Sequence, residues 1–300
     1  MYRKVDNNMI RIGILGSDSS HALAFAKLCN IPDSNTEQYN FPDVRITTIY
    51  GHDKNETEKT ALEGNIKEIV SSPDELIGNV DGVMVLFRDG NLHVPYALPF
   101  IKKGIPVWID KPLTVKLEDT QILLKEAAKS NSLVTGGSTC KYSNDVLEFG
   151  KIVRSGSVGN VLSGYINFPG DINSPYNGIF FYGPHMIEIL FTIFGYNVVS
   201  LTAMKNNSDI LCIVNYDTYH VVLDFAKNAC QNMCIIHGDK KSHAGEIRID
   251  SFTYKAGLEK FIDMIHTGVS PLSLDKLAAP TKLLTAIHES LQSEKKVYFL

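Results

Sequence analysis

The first 135 residues alternate short apolar runs with amphipathic segments, and that alternation leaves the chain few folds to choose from. Runs at 10–15, 44–49, 82–86, 105–109 and 133–135 read as strands, and 21–29, 56–63, 92–103 and 117–129 read as helices between them. The third and fourth runs are apolar almost throughout, as strands covered on both faces must be. In the last helix Leu117, Leu124 and Ala128 share one face. Strands separated by helices need crossover connections, and these are right-handed, so the expected product is a doubly wound parallel sheet. The polar stretch 30–42, which holds Pro32 and Pro42, reads as an inserted loop.

After Thr139 the pattern changes. A helix at 143–152 precedes strand-like runs at 161–168, 198–204, 210–215, 219–225 and 230–236, joined by short polar turns. The stretch EIRID at 246–250 alternates, with Ile247 and Ile249 on one predicted face. A helix at 184–194 interrupts the series. Two helices close the chain, one with the stripe Leu258, Phe261, Ile262 and Ile265, the other with Leu284, Ile287 and Leu291; Pro280 starts or kinks the second. This predicts an α+β domain with an open, mostly antiparallel sheet covered on one face. A chain of 300 residues is too long for one small core, and the expected domains are 1–137 and 138–300.

A net charge of −4 gives no reason to expect nucleic acid or anionic membrane as a partner. The opening MYRKVDNNMI lacks the apolar core of a signal peptide. No apolar run reaches the ~18 residues that a membrane-spanning helix needs. The five cysteines, Cys29, Cys140, Cys212, Cys230 and Cys234, are an odd and sparse set, which fits reduced thiols and a cytoplasmic location. Cys230, Cys234 and His237 lack further ligands at suitable spacing, so no metal site is expected.

The stretch IGILGSDSSHALAF, residues 12–25, runs from a strand through a glycine into a polar turn and a helix. A dinucleotide-binding turn asks for G-x-G-x-x-G; here Gly16 stands first, with Asp18 and His21 in the other two glycine places. Gly16 permits the bend, the helix start offers N–H groups and a positive dipole end, and Ser17, Ser19 and Ser20 offer hydroxyls to a phosphate. Asp18 brings a negative side chain to that place and is expected to turn back and cap its own helix. The competing reading is a capped helix with no ligand. The second strand ends Tyr50-Gly51-His52-Asp53; Gly51 takes the place of the acid that holds the adenosine ribose of NAD. His52 or Lys54 is placed to meet a 2′-phosphate, so NAD and NADP both stay open. In GIPVWIDKPLTV, residues 104–115, Asp110-Lys111-Pro112 stands at the carboxyl end of a buried strand, the edge on which doubly wound sheets bind ligands. Trp108 beside it is expected in the core.

These motifs, taken in order, resemble the glucose–fructose oxidoreductase / inositol dehydrogenase / MocA family. That family's Glu-Lys-Pro is similar to Asp110-Lys111-Pro112. Its Thr-Pro-Asn loop with a nearby histidine resembles Arg88-Asp89-Gly90-Asn91-Leu92-His93. Its glycine followed by His-x-x-Asp at the opening of a helix resembles Gly183-Pro184-His185-Met186-Ile187-Glu188, and the ending KKVYFL resembles its terminal strand. The resemblance implies an N-terminal Rossmann domain and a C-terminal α/β domain for substrate and oligomer contacts. It also implies hydride transfer between a nicotinamide, NAD or NADP, and a hydroxyl-bearing carbon of a sugar, cyclitol or related polyol. Homodimers or homotetramers formed through the open sheet are implied too. The departures gather on the cofactor side, at Asp18, His21, Gly51 and the Arg88 loop. A second histidine of some members is replaced by Thr192.

On this footing Lys111 is expected to hold the reacting hydroxyl and His185 to relay its proton, because imidazole titrates near neutral pH. Glu188, one helical turn on, is expected to orient the imidazole or bind a substrate hydroxyl. Tyr142 and Tyr182 are candidates to line the substrate pocket. The cofactor is expected to meet Gly16, Ser17, Asp18, Ser19, Ser20, His52, Arg88, Asp110 and Lys111. His21 and His93 each begin a predicted helix and are expected to make helix-start hydrogen bonds. A second hypothesis belongs to another class: a small-ligand binding or sensing protein of the same build that has lost redox catalysis.

Overall fold

The computed structural model describes residues 9–206 and 209–299. The first eight residues, on which the expectation of no signal peptide rests, and the final Leu300 lie outside the described residues. In chain order the elements are β1 (Ile10–Leu15), α1 (Ser20–Asn30), β2 (Val44–Tyr50), α2 (Lys54–Glu63), β3 (Glu68–Ile69), β4 (Gly82–Val85), α3 (His93–Lys102), β5 (Val107–Ile109), α4 (Leu117–Ser130), β6 (Val134–Gly136), α5 (Asn144–Arg154), β7 (Val161–Asn167), α6 (Ile179–Phe194), β8 (Ser200–Asn206), β9 (Asp209–Asn215), β10 (His220–Phe225), β11 (Met233–Gly238), β12 (Ser242–Glu246), α7 (Phe252–Thr267), α8 (Leu274–Ser293) and β13 (Val297–Tyr298). The chain divides into two compact units, and the division is not a single cut. The first unit runs to Asp110 and takes in Ile122–Gly136 and Leu258–Pro271; the second holds Lys111–Gln121, Gly137–Gly257 and the chain from Leu272.

The first unit is built on a six-stranded sheet ordered β3-β2-β1-β4-β5-β6, with parallel pairing throughout. The order reverses at β1, which lies between β2 and β4, so the loops after β1 and β4 flank the switch point where such sheets bind ligands. The two-residue strand β3 pairs Thr48 and Ile49 with Glu68 and Ile69, and is too short for periodicity to announce it. Trp108 is fully buried, its ring edge-on to Phe25 at 5.8 Å and to Phe261 at 6.2 Å. Gly82 lets this part of α7 lie close on β4: a Cβ there would stand 2.8 Å from Ile265 and 3.1 Å from Phe261.

The second unit carries a seven-stranded sheet ordered β12-β11-β7-β10-β9-β8-β13. Its pairings are antiparallel except β7 with β10. Alternation along the strands sends Ile210, Cys212, Val214, Val221, Leu223, Phe225, Cys234 and Ile236 into one core with Ile187, Leu190 and Phe194 of α6 and Leu283, Leu284 and Ile287 of α8. The opposite face presents half-buried Tyr165, Leu211, Ile213, Val222 and Ile235. On that face the Tyr165 hydroxyl donates to Asp224 at 2.8 Å.

Three sequence readings need correction here. The run EIRID is not a strand: only Glu246 belongs to β12, and Ile247 is buried while Ile249 is exposed. The reason is local. Arg248 N–H donates to Asp145 and Arg248 C=O accepts from Ser143 Oγ, so side chains take the backbone groups that a ladder would use. The helix expected at 184 opens at Ile179 instead, after Asn177 and Gly178 with φ of +67° and +60°, and Pro184 lies inside it. Likewise α8 begins at Leu274, capped by Ser273, so of the two roles expected for Pro280 it does not start the helix but lies inside it.

Candidate active site

At the switch point of the first unit Gly16 has φ +105°, and its N–H donates to the Tyr50 carbonyl. A Cβ there would stand 2.5 Å from the Phe87 amide nitrogen, so the approach of the two loops excludes any other residue. Ser19, not Asp18, caps α1, its Oγ accepting from His21 N–H. This corrects the expected role of Asp18. Its carboxylate turns across the switch point and accepts the Arg88 N–H at 3.2 and 3.3 Å. Ser20 opens the helix and is exposed. Gly16, the amino end of α1 and the Ser19 and Ser20 hydroxyls form a cradle that suits a dinucleotide diphosphate.

The neighbouring groups are engaged with one another. Ser17 is buried and shares a 2.8 Å hydrogen bond with Thr57 of α2. A Cβ at Gly51 would run into both of those hydroxyls, so the ribose-binding acid has no room in its usual place. His52 Nε2 lies 2.6 Å from the Tyr96 hydroxyl. Asp53 caps α2, accepting from Glu56 N–H, and exposed Lys54 pairs with Glu58 at 3.7 Å. His21 Nδ1 meets Asp110 Oδ2 at 2.7 Å, tying α1 to the end of β5. Asp110 thus serves His21, a partner that sequence spacing did not suggest. His93 is fully buried with Nε2 on the Phe87 carbonyl at 2.8 Å.

In the second unit Lys111 is 8% exposed, with Nζ 4.2 Å from the centre of the Phe181 ring and 5.8 Å from that of Tyr182. It donates to the Phe181 carbonyl at 3.4 Å, in the turn of α6 where Pro184 lacks the N–H that would bond the Phe180 carbonyl. His185 is 9% exposed and lies in the second turn of α6, not at its start. Its ring is 5.7 Å from Tyr182 and 5.9 Å from Phe168. The Tyr182 ring therefore adjoins both the Lys111 amine and the His185 imidazole. His185 Nδ1 is 2.7 Å from Ser138 Oγ and 3.3 Å from Cys140 Sγ.

Glu188 is placed differently from expectation. Its carboxylate is taken by Lys141 Nζ at 3.1 Å, with both side chains buried, and by the backbone N–H of Ser138. Gly137, with φ +79°, makes this approach possible, since a Cβ there would run into Glu188 Oε1. Burial pushes the Glu188 carboxyl up against the downward pull of Lys141. Burial alone would lower Lys141, but Glu188, Tyr142 and Tyr196 outweigh it and hold the ammonium above its ordinary range. Tyr142 stands beside this pair, its ring 5.4 Å from Lys141 Nζ. Burial pushes the Cys140 thiol up to about 11.

Sequence reasoning missed Ser138, Cys140, Lys141, Phe181 and Thr57. A lysine between a cysteine and a tyrosine carries no pattern that marks it as buried. Among the described residues, no group of three or more His, Cys, Asp or Glu side chains could hold a metal ion, and no helix is long and apolar enough to cross a membrane.

Residues 10–138 match a family described as an oxidoreductase family with an NAD-binding Rossmann fold. The chain is similar to scyllo-inositol 2-dehydrogenase (NADP(+)) IolW of Bacillus subtilis (strain 168), 22% identical over 290 residues that cover 90% of this chain and 74% of that protein. The structure of myo-inositol 2-dehydrogenase from Lactobacillus plantarum matches with a TM-score of 0.83 at 15% identity, over 98% of this chain and 100% of that one. Scyllo-inositol dehydrogenase from Lactobacillus casei, with bound NAD(H) and scyllo-inositol, matches with a TM-score of 0.82 at 13% identity, over 97% and 99%. At these identities the structural matches establish the fold.

Proposed function

We propose that this chain belongs, through residues 10–138, to the glucose–fructose oxidoreductase / inositol dehydrogenase / MocA family, and that it oxidises or reduces a cyclitol or a related polyol. It is an NAD(P)-dependent oxidoreductase acting on CH–OH groups. The observation that carries the substrate side is the placing of Lys111 and His185 against one ring, Tyr182. The apolar rings of Phe181 and Tyr182 suit the C–H face of a cyclitol, while the amine and imidazole suit its hydroxyls.

The dinucleotide is assigned to Gly16, Ser19 and Ser20 with the amino end of α1. When bound, its nicotinamide takes up or gives the hydride. The chain's own residues do the rest. Lys111 donates to the reacting oxygen and stabilises negative charge that develops there. In the oxidation direction the hydroxyl proton passes to His185, and in the reduction direction it returns. Tyr182 and Phe181 cover this exchange with apolar surface. The absence of room for an acid at Gly51 leaves NADP as open to this chain as NAD.

Replacing Lys111 with methionine tests the assignment. With myo- or scyllo-inositol and NAD+ or NADP+, kcat should fall about 10²–10⁴-fold, the range supplied by a positioned proton-handling group. Cofactor affinity, read from nicotinamide fluorescence, should change less than about threefold. Unchanged turnover would remove Lys111 from the reaction. The Asp18–Arg88 contact across the switch point favours one other reading, a ligand-sensing protein without redox catalysis. In that case neither dinucleotide binds, yet inositol still raises the melting temperature.

The open face of the seven-stranded sheet, with Leu211, Ile213, Val222 and Ile235, is assigned to a homodimer or homotetramer contact. Sedimentation that shows only monomer at micromolar concentration overturns this. The cytoplasm, which holds the nicotinamide pool, is the assigned compartment.

A further inference from the structure

We propose that Ser138 is the positioning residue of the proton relay: its hydroxyl holds the Nδ1 side of His185, so that the proton exchanged with substrate passes through Nε2. This rests on the reading of His185 as the relay.

Ser138 is fully buried and opens the short turn Thr139–Tyr142. Its Oγ accepts the Cys140 N–H at 3.1 Å, which fixes the direction of the oxygen. One lone pair and one proton remain for His185 Nδ1 at 2.7 Å. The pair can run either way, and the arrangement proposed is the one in which the ring proton sits on Nδ1 and is donated to Ser138 Oγ. It therefore leaves Nε2 as the basic nitrogen of the neutral ring, the form needed to take a substrate proton. After the transfer the imidazolium still donates from Nδ1 to the same oxygen, so the partner need not reorient during the reaction. The bookkeeping is simple: the substrate O–H proton goes to Nε2, and the hydride on the same carbon goes to the nicotinamide, oxidising the substrate and reducing the cofactor. Reduction runs the same path backwards.

The backbone of Ser138 is held as firmly as its side chain. Its N–H donates to the Glu188 carboxylate, which Lys141 secures from the other side, and Gly137 gives the space for that approach. The acid one helical turn beyond His185 thus acts on the imidazole at one remove, by way of residue 138. Cys140 Sγ, at 3.3 Å from the same nitrogen, is the longer and weaker contact.

The test uses the full chain carrying Ser138→Ala, with Cys140→Ala as comparison and His185→Asn as reference. Nitrogen-15 NMR of the histidine ring, without substrate or cofactor, reads the tautomer directly. In Ser138→Ala the His185 resonances should move from those of one tautomer toward an average of two. kcat for inositol oxidation should fall about 30-fold, a fraction of the roughly 10²–10⁴ that acid–base catalysis supplies, with KM within about threefold. Cys140→Ala should lose less than Ser138→Ala. Should Ser138→Ala fail to fold, Ser138→Cys keeps the size, weakens the hydrogen bond and gives the same readouts at smaller amplitude. Unchanged ring resonances in the Ser138 variant, or an equal loss in Cys140→Ala, overturn the assignment of Ser138. Full turnover in His185→Asn overturns the relay reading instead, and the two failures are told apart by the NMR spectrum.

Discussion

The switch point of the parallel sheet and the second turn of α6 both carry polar side chains, but they hold them in different ways. At the switch point the contacts are separate pairs: Asp18 with the Arg88 N–H, Ser17 with Thr57, His21 with Asp110, His52 with Tyr96. Along α6 the contacts form a series from Lys141 through Glu188 and the Ser138 backbone to the Ser138 hydroxyl and His185. There one loss reaches every later member, and burial removes the water that would compensate. The difference teaches where this chain tolerates change. Most of its departures from the pattern it resembles lie at the switch point, Thr192 on α6 being the exception, while the lysine and histidine of the proposed chemistry keep their places.

The largest test of that contrast is Glu188→Leu. It leaves the Lys141 ammonium buried without its carboxylate, which costs about 3–5 kcal/mol when one partner of such a pair is removed. Urea unfolding of the whole chain measures it. The double variant Lys141→Met with Glu188→Leu should recover most of the loss, because the uncompensated charge is gone. A single-variant loss below about 1 kcal/mol, the level of an exposed pair, would show that the series along α6 is as divisible as the switch point.

The legible part of this molecule was the part written in periodicity. The strand Ile10–Leu15 and the helix Leu117–Ser130 follow from apolar spacing, and the parallel order follows from their alternation with the other elements. The failures come from single side chains that satisfy the backbone. Ser143 and Asp145 draw Arg248 out of a ladder that its alternation predicts. Asn177 and Gly178 start α6 earlier than Pro184 suggested. In the site, Lys111 and His185 were visible because their motifs resemble a family. Lys141 and Ser138 were not, because a buried ion pair depends on residues far apart in sequence, and neither partner announces the other.

A middle-sized effect is expected from Gly51→Asp, the change that would supply a ribose-binding acid. The new Cβ meets the Ser17 and Thr57 hydroxyls, so the variant should lose about 1–3 kcal/mol of stability, as overpacked sites do. It should gain no preference for NAD+ over NADP+ in kcat/KM. Pairing it with Ser17→Gly and Thr57→Ala removes both obstructing side chains and should restore stability while shifting preference toward NAD+. If Gly51→Asp alone is as stable as the parent and prefers NAD+, the Ser17–Thr57 contact yields freely and does not limit the cofactor.

The smallest effect belongs to Asp18→Gly, which restores the second glycine of the fingerprint. Asp18 is half-buried, and its carboxylate accepts only at distances of 3.2 and 3.3 Å, long for a charged acceptor, so little binding strength is stored there. Removing it releases the Arg88 N–H toward the crevice, where water or a diphosphate oxygen can accept in its place. It also withdraws a negative charge from the proposed diphosphate site. Glycine costs the folded state about 0.5–1 kcal/mol in chain entropy, which should lower the melting temperature slightly. Dinucleotide affinity should hold or tighten by up to about threefold, roughly 0.7 kcal/mol. Fluorescence titration with NADH and NADPH reads this, and a tenfold weakening would mean that Asp18 touches the cofactor itself, so that the pair across the switch point is part of the site and not merely beside it.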